Sequence, residues 1–374
     1  MGLEAFALEP KPLALDHMSA NYVPLQVTTS GRGVGGQLAS WAIRAMEKGI
    51  EAAKGGNFDL VYATNNNLFN LVVSLSLAKR LHLPCVVVVH HLRWVDYRES
   101  EGHLARGRFS PSKFLRSLRA EKVGIGSSLA RVVGGYVESK TLSRFDGFIV
   151  TSRAVASQLI SIVPSGKISV VENAPFKTRS RGTSFSGRGI TALSVGRIDE
   201  GKGTGELLNA WEGIVAGHPT AHLEIAGEGS LRSSMVSEAS RRGLGQHVQF
   251  RGFLDDGDIA ELQDRSRFFI TLSRTEGFGM AAAEALAAGL PVVAWDIPPF
   301  VEIYGSCRAV FLCRQGDIKE VISRSIMLFT IPETEWNELS AQAVNYSDRF
   351  SWEKAAKNEL HALERAKRLS PLDR

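Results

Sequence analysis

The 374-residue chain is short of cysteine, of long apolar runs and of metal-ligand spacing, and each shortage argues against a class of protein. Only three cysteines occur, Cys85, Cys307 and Cys313, with no CxxC pair and no spacing shared with histidine. That pattern argues against a disulfide scaffold or a zinc module, and buried thiols in a reducing compartment are expected. The longest apolar run, Val86 to Val89 with its neighbours, falls far below the roughly 20 residues a membrane span requires. The first twenty residues hold acids and prolines and no continuous apolar stretch, unlike a secretory signal. A cytoplasmic protein is expected, free or peripheral on the cytoplasmic face of a membrane, with no nucleic-acid partner.

What is present reads as soluble and globular: 44% apolar residues, 22% charged and 36 glycines, a balance unlike that of disordered or fibrous chains. The length exceeds what one core usually supports, so two domains of about 150 to 200 residues are expected. The net charge of +5 is uneven. Through Phe176 there are 20 Lys/Arg against 13 Asp/Glu, and beyond it 24 against 26. Within 102–122, Arg106, Arg108, Lys113, Arg116, Arg119 and Lys122 stand among Phe109, Phe114, Leu115 and Leu118, with Glu121 as the one acid. Such a stretch suits an anionic membrane surface or a phosphate-bearing acceptor, and a solvated basic loop fits it equally well.

Short β-branched runs alternate with helical patterns, the signature of parallel α/β architecture. The first half predicts strands at Leu25–Thr29, Leu60–Ala63, Val86–Val89, Gly147–Thr151 and Ile168–Val171, with helices at Leu38–Lys54 and Leu68–Leu81. The second half restarts the pattern at Ala192–Val195, His222–Ala226, Val248–Phe250, Phe268–Leu272, Val292–Ala294 and Ala309–Leu312. Between them, Phe176 to Gly189 is polar and Gly/Ser-rich and reads as a linker. The expected division is 1–180, 181–350 and a C-terminal helix within 351–374 packing back toward the first domain.

Gly31, Gly33 and Gly36 form a GxGxxG with Glu51 about twenty residues on, the dinucleotide fingerprint. Glu51 falls near the end of a helical run rather than at the end of a second strand, so the match is formal. The loop, including Gly35 and Gly36, can still bring backbone N–H groups close to a phosphate. In the second half, strand Ala192–Val195 runs into Gly196-Arg197 and then Lys202, two cations in a loop at the carboxyl end of a strand. Open α/β sheets place ligands there, and a diphosphate needs a planar fork and a point charge. Strand Phe268–Leu272 leads into Glu276-Gly-Phe-Gly279-Met280 and a helix holding Glu284. Bare glycine backbone before a helix N-terminus suits phosphate, and Glu276 could accept hydrogen bonds from sugar hydroxyls. Asp255 and Asp256, and the DxD formed by Asp256 and Asp258, read as a turn and helix cap, and no DxD-type metal motif stands beside these loops.

The run VGRIDEGKGTGELLNAWEGI, with HLEIAGEGSL, VQFRGFL and LSRTEGFGMAAAEALAAGLPVVAWD, resembles the donor domain of the retaining GT-B glycosyltransferases of family 4 type. The resemblance covers about residues 138–305. It implies a GT-B fold, two Rossmann-like doubly wound parallel-sheet domains facing across a cleft, and a nucleoside-diphosphate sugar as donor substrate with no cofactor and no metal. It implies Arg197 and Lys202 on the diphosphate, Glu276 on the donor sugar and Glu284 on the ribose. Gly277, Phe278 and Gly279 would line the phosphate and sugar, with Gly196 and Met280 beside them. VVVVHHL would supply the cleft histidine as His90 or His91. Glu138 and Asn173 also match recurrent family positions, where structural roles are expected. The first lobe is short against the family pattern, since Gly35-Gly36 stands only about 55 residues before His90. The expected function is transfer of a sugar to a glycan, glycolipid or lipid-linked acceptor hydroxyl, and the alternative is a non-catalytic nucleotide-sugar-binding subunit. Epimerase, phosphorylase or NAD(P) chemistry leaves no signature of its own.

Overall fold

The computed structural model describes residues 5–9, 20–24, 34–92, 136–176 and 185–369. The expected strand Leu25–Thr29 and the basic stretch 102–122 lie outside these residues. Among the described residues, β1 (Ala5–Glu9) and β2 (Ala20–Pro24) form a parallel pair that the sequence pattern did not suggest. Helix α1 (Val34–Ala53) follows, then β3 (Val61–Ala63), α2 (Leu68–Leu81) and β4 (Cys85–Val89). A helix described over 136–142 (α3) precedes β5 (Gly147–Val150), α4 (Arg153–Leu159) and β6 (Ile168–Val170). Strands β3 to β6 make a parallel sheet in chain order. Every residue of β4 and β5 is buried, which is why both read as unbroken apolar runs.

The second unit alternates strictly. Its elements are β7 (Thr191–Val195), α5 (Thr204–Gly217), β8 (His222–Ala226), α6 (Arg232–Arg241), β9 (Val248–Gly252) and α7 (Asp256–Arg265), then β10 (Phe268–Thr271), α8 (Met280–Ala287), β11 (Val292–Trp295), α9 (Pro298–Tyr304) and β12 (Val310–Cys313). The six strands are parallel in the order β12-β11-β10-β7-β8-β9. Helices α10 (Ile318–Thr330), α11 (Glu333–Ser347) and α12 (Trp352–Leu369) close the chain. Asp255 caps α7, its carboxylate accepting from Asp258 N at 2.9 Å, the role expected of that acidic run.

Two expectations need correction. Gly35 and Gly36 fall in the first turn of α1, not in a loop ahead of a helix starting at Leu38. The loop that carries Gly31 and Gly33 lies outside the described residues. The end of the expected linker is packed. Arg188 is buried and donates to the Gln263 and Ser266 carbonyls at 2.7 and 2.9 Å, satisfying the carbonyl end of α7 as cations do. Its guanidinium also stands 4.9 Å over the Trp336 ring, and Arg267 stands 3.7 Å over Phe185.

Helix α12 leaves the second unit and lies on the outer face of the first sheet. Ala362 and Ala366 pack there against Val86, Val88 and Ile149. Tyr62 donates to Glu359 at 2.6 Å, and Lys367 meets Asp59 at 2.5 Å. The approach is close enough that a Cβ on Gly147 would stand 2.5 Å from Ala366 Cβ and 3.3 Å from Val86. Gly147→Val should therefore destabilise the protein by about 1–3 kcal/mol, the usual cost of overpacking. The urea-unfolding midpoint measures it, and an unchanged midpoint would mean that α12 does not rest on this sheet in solution.

Candidate functional site

From β7 the parallel strands are added outward through β8 to β9, and the chain then returns to the other side of β7 for β10, β11 and β12, so the strand order reverses between β7 and β10. Ligands of open α/β sheets bind at such a reversal, beyond the carboxyl ends of the strands. The loop after β7 carries Gly196, Arg197 and Lys202, and the loop after β10 carries Glu276 to Gly279. The two are joined there. Arg274 N donates to the Gly201 carbonyl at 2.9 Å, Ser273 Oγ reaches the same carbonyl at 3.3 Å, and the Arg274 guanidinium is paired with Glu206 in the first turn of α5. Asp199 caps its own turn by accepting from Lys202 N at 3.2 Å.

These ties hold Lys202 Nζ 2.5 Å from Glu276 Oε1, with both side chains mostly shielded from solvent. Arg197 is exposed and stands 3.4 Å from Asp199. Gly279, at φ +85°, starts α8 in the left-handed region that favours glycine, and a Cβ there would meet the Phe300 ring at 2.3 Å. Phe278 borders the cleft, yet its ring is buried against Tyr304 and Phe350, so what it can offer a ligand is main chain. Tyr304, fully buried, donates to the Phe278 and Gly279 carbonyls at 3.0 and 3.3 Å. Sequence reasoning missed Tyr304. It acts across some 25 residues and has no local spacing to betray it.

The first lobe closes the opposite wall. Gly277 meets it backbone to backbone, for a Cβ there would lie 2.0 Å from the His90 carbonyl oxygen and 2.7 Å from Thr151 Oγ1. His90 and His91 both border the cleft, as does Asn173, and their surroundings differ. His90 Nε2 lies 3.3 Å from the Thr64 carbonyl, which only accepts, so that nitrogen carries the hydrogen. Burial holds the His90 imidazole below its ordinary range against this bond. Burial also lowers His91, opposed by Glu276 and reinforced by Lys202, His90 and Arg197. His91 is thus the histidine that feels the donor-loop charges. Behind it, buried Asn66 donates to the His91 carbonyl at 2.8 Å and to Glu138 at 2.7 Å.

The cleft holds about 450 Å³ and is bordered by His90, His91, Arg197, Lys202, Glu276 and Glu284 among others. Met280 and Gly196 also face it. Burial, helped by the negative charge of Asp256 and opposed by a hydrogen bond from the Phe176 main chain, pushes the Glu284 carboxyl up to about 7. Among the described residues, no cluster of three His, Cys, Asp or Glu side chains could hold a metal ion, and no helix is long and apolar enough to cross a membrane.

Two parallel-sheet units with a charged cleft between their carboxyl edges define the class, and comparison with known proteins gives the family. The profile of glycosyltransferase family 4 matches residues 9–174, and that of glycosyl transferases group 1 matches residues 176–350. The chain belongs to the GT-B glycosyltransferases of this family. It is 34% identical over 206 residues to a GDP-mannose:cellobiosyl-diphosphopolyprenol alpha-mannosyltransferase of Xanthomonas campestris, and 29% over 206 residues to that of Xanthomonas oryzae. Both alignments span 54% of this chain and 54% of the relative, so the chain spans about half the length of these curated relatives. The fold of Anabaena HepE in complex with UDP-glucose superposes with a TM-score of 0.68 at 20% identity, over 96% of this chain and 90% of that one.

The position of Glu284 has a consequence for stability. A carboxyl raised in the fold from an ordinary 4.5 to about 7 makes the folded state hold its proton longer than the unfolded chain does. Its contribution is fully present below about 4.5 and is lost as the pH climbs through about 7. Wild type should therefore lose thermal stability relative to Glu284→Gln as the pH is raised across that window. Melting midpoints of the two proteins compared between pH 4.5 and 8 test this, and a constant difference would contradict it.

Proposed function

We propose that the protein is an enzyme that moves a hexosyl or other glycosyl group from a nucleoside-diphosphate sugar to an acceptor hydroxyl, with the anomeric configuration retained. The observation that carries this reading is the Lys202–Glu276 pair, held at the sheet reversal and facing His91 across the cavity. In this reading the planar fork of Arg197 and the point charge of Lys202 hold the diphosphate. The first N–H groups of α8, which have no partner within the helix, add to them. As the glycosidic bond breaks, negative charge builds on the departing diphosphate, and these groups stabilise it where it forms. Side chains and backbone supply that stabilisation, so the proposed chemistry needs no metal and no cofactor. Glu276 takes the sugar hydroxyls and Glu284 the ribose, while Gly277 and Gly279 leave room for both.

The acceptor in this proposal is a glycan, glycolipid or lipid-linked sugar. The Xanthomonas relatives, whose names give a cellobiosyl-diphosphopolyprenol as acceptor, support the lipid-linked choice. The basic and aromatic run 102–122 supports a cytoplasmic, peripheral position on an anionic membrane surface. The alternative of a sugar-nucleotide-binding subunit shares every donor contact and differs only in turnover.

Lys202→Ala and Glu276→Ala should each lower turnover by about 10²–10³-fold, the scale of losing one preorganised charge partner. The two should separate in binding. Free UDP or GDP stabilises a protein that binds it; Lys202→Ala should lose that thermal shift, and Glu276→Ala should keep it because its partner is the sugar. Wild-type turnover in both variants would overturn the assignment. A wild-type chain that is stabilised by the nucleotide yet transfers nothing, with any donor, would favour the binding subunit.

A further inference from the structure

The turn after β3 contains three consecutive asparagines, Asn65, Asn66 and Asn67, and each does something different. Asn65 Oδ1 builds the turn, accepting from Asn67 N at 3.0 Å and Asn70 Nδ2 at 2.9 Å. Asn67 caps α2 by accepting from Phe69 N at 3.3 Å. Asn66 is turned inward and is only 7% exposed. Its amide nitrogen spends both hydrogens, one on the His91 carbonyl at 2.8 Å and one on Glu138 Oε1 at 2.7 Å. The His91 carbonyl can only accept, so the nitrogen and not the oxygen must face it. Glu138 is 3% exposed, and a carboxylate so buried needs donors of this kind.

The same turn takes hold of the other histidine, since Thr64 accepts from His90 Nε2 at 3.3 Å. Residues 64 to 66 therefore bracket the His90–His91 pair from behind, one through a ring and one through main chain. His91 borders the same cavity as Glu276, Lys202 and Arg197 of the second lobe, and their charges act on its imidazole.

We infer that Asn66 is a positioning residue: by clamping the His91 main chain to Glu138 of α3, it sets where the His91 imidazole stands against the Lys202–Glu276 pair. The inference rests on the transfer reading for its catalytic meaning, and the geometry it asserts can be measured without turnover. Asn66 does not itself border the cavity; it reaches the cleft through the His91 main chain. Its effect on the reaction passes through His91, and a displacement of about 1 Å at a reacting site can cost on the order of 10²-fold in rate.

Asn66→Asp changes one atom and turns a double donor into an acceptor facing two acceptors. In the transfer assay it should lower kcat by about tenfold or more, with the donor KM within about threefold of wild type. Because a second buried carboxylate beside Glu138 strains the fold, the decisive protein is Asn66→Asp combined with Glu138→Gln. The new glutamine amide can donate to the new aspartate, so the melting midpoint should recover, while the His91 carbonyl stays unheld and kcat stays low. The His91 ring signal, identified by its absence in His91→Gln, gives the second readout by NMR titration. In the double variant its midpoint should rise, because loosening the turn relieves the burial that holds it down and the new carboxylate pulls the same way. Recovery of kcat together with the midpoint, or a His91 titration unchanged from wild type, would overturn the inference. A wild type that transfers nothing while the His91 titration shifts in the double variant would leave Asn66 as the clamp and remove the transfer reading alone.

Discussion

The two lobes meet at the cleft through bare backbone. Gly277 lies so close to the His90 carbonyl that a Cβ would stand 2.0 Å from it, and the remainder of the site depends on that approach. Any side chain at 277 would wedge the lobes apart, taking His91 away from Lys202 and Glu276. The contacts flanking it are polar and of the same kind, a charged side chain of the second lobe taking hold of the first. Glu302 on α9 accepts from Arg153 N and Ala154 N at 2.8 and 2.7 Å, so one lobe caps a helix of the other. Arg349 stands 3.7 Å from Glu172, and Glu284 takes the Phe176 main-chain N–H. Exposed charge contacts are individually worth little. A small number of them around one backbone contact is the kind of interface that can part and re-form, as enzymes that close on a substrate require.

The chain crosses between lobes twice, after Phe176 and again at the start of α12, and the Phe176 and Trp352 rings stand 5.3 Å apart. With α12 fastened along the first sheet by Tyr62–Glu359 and Lys367–Asp59, the second crossing is as firmly rooted in the first lobe as the first. The two lobes are therefore joined through the chain at both ends of the second unit.

Much of this could be read from the sequence, and the rest could not for identifiable reasons. The strands β4, β5 and β7 to β12 fall within about two residues of the expected runs; β4, β5 and β11, buried throughout, read as unbroken apolar runs, and the others still carry apolar residues in short runs bounded by turn residues. The loops after β7 and β10 were legible because cations, glycines and acids there follow directly on strands. The pair β1–β2 was not. AFALE and ANYVP are short, and one ends in an acid and the other in proline. The Phe176–Gly189 segment read as a polar linker because composition does not reveal that Arg188 would find two carbonyls at the end of α7. Tyr304, Glu302 and Asn66 share that difficulty. Their partners lie about 25 to 150 residues away, a separation that leaves no periodicity. The two histidines were legible as a pair, and only the third dimension distinguishes Thr64 behind one from Glu276 in front of the other.

The charges of the cleft are nearly balanced. Lys202 is paired with Glu276 and Arg197 faces Asp199, while burial pushes the Glu284 carboxyl up to about 7. In the proposed reaction a diphosphate does not enter a field of free cations; it shares Lys202 with a carboxylate 2.5 Å away. That sharing weakens the hold on the intact donor. As the glycosidic bond breaks, the leaving oxygen gains charge and draws harder on Lys202, while Glu276 turns toward the sugar, where positive charge is growing. Each member of the pair thus gains more from the substrate in the transition state than in the ground state, which outweighs what the two lose of each other. This is the condition for binding energy to appear in kcat rather than in KM. It also requires Lys202 and Glu276 to be held by their own loops and not by each other alone, and Asp199, Arg274 and Ser273 meet that requirement.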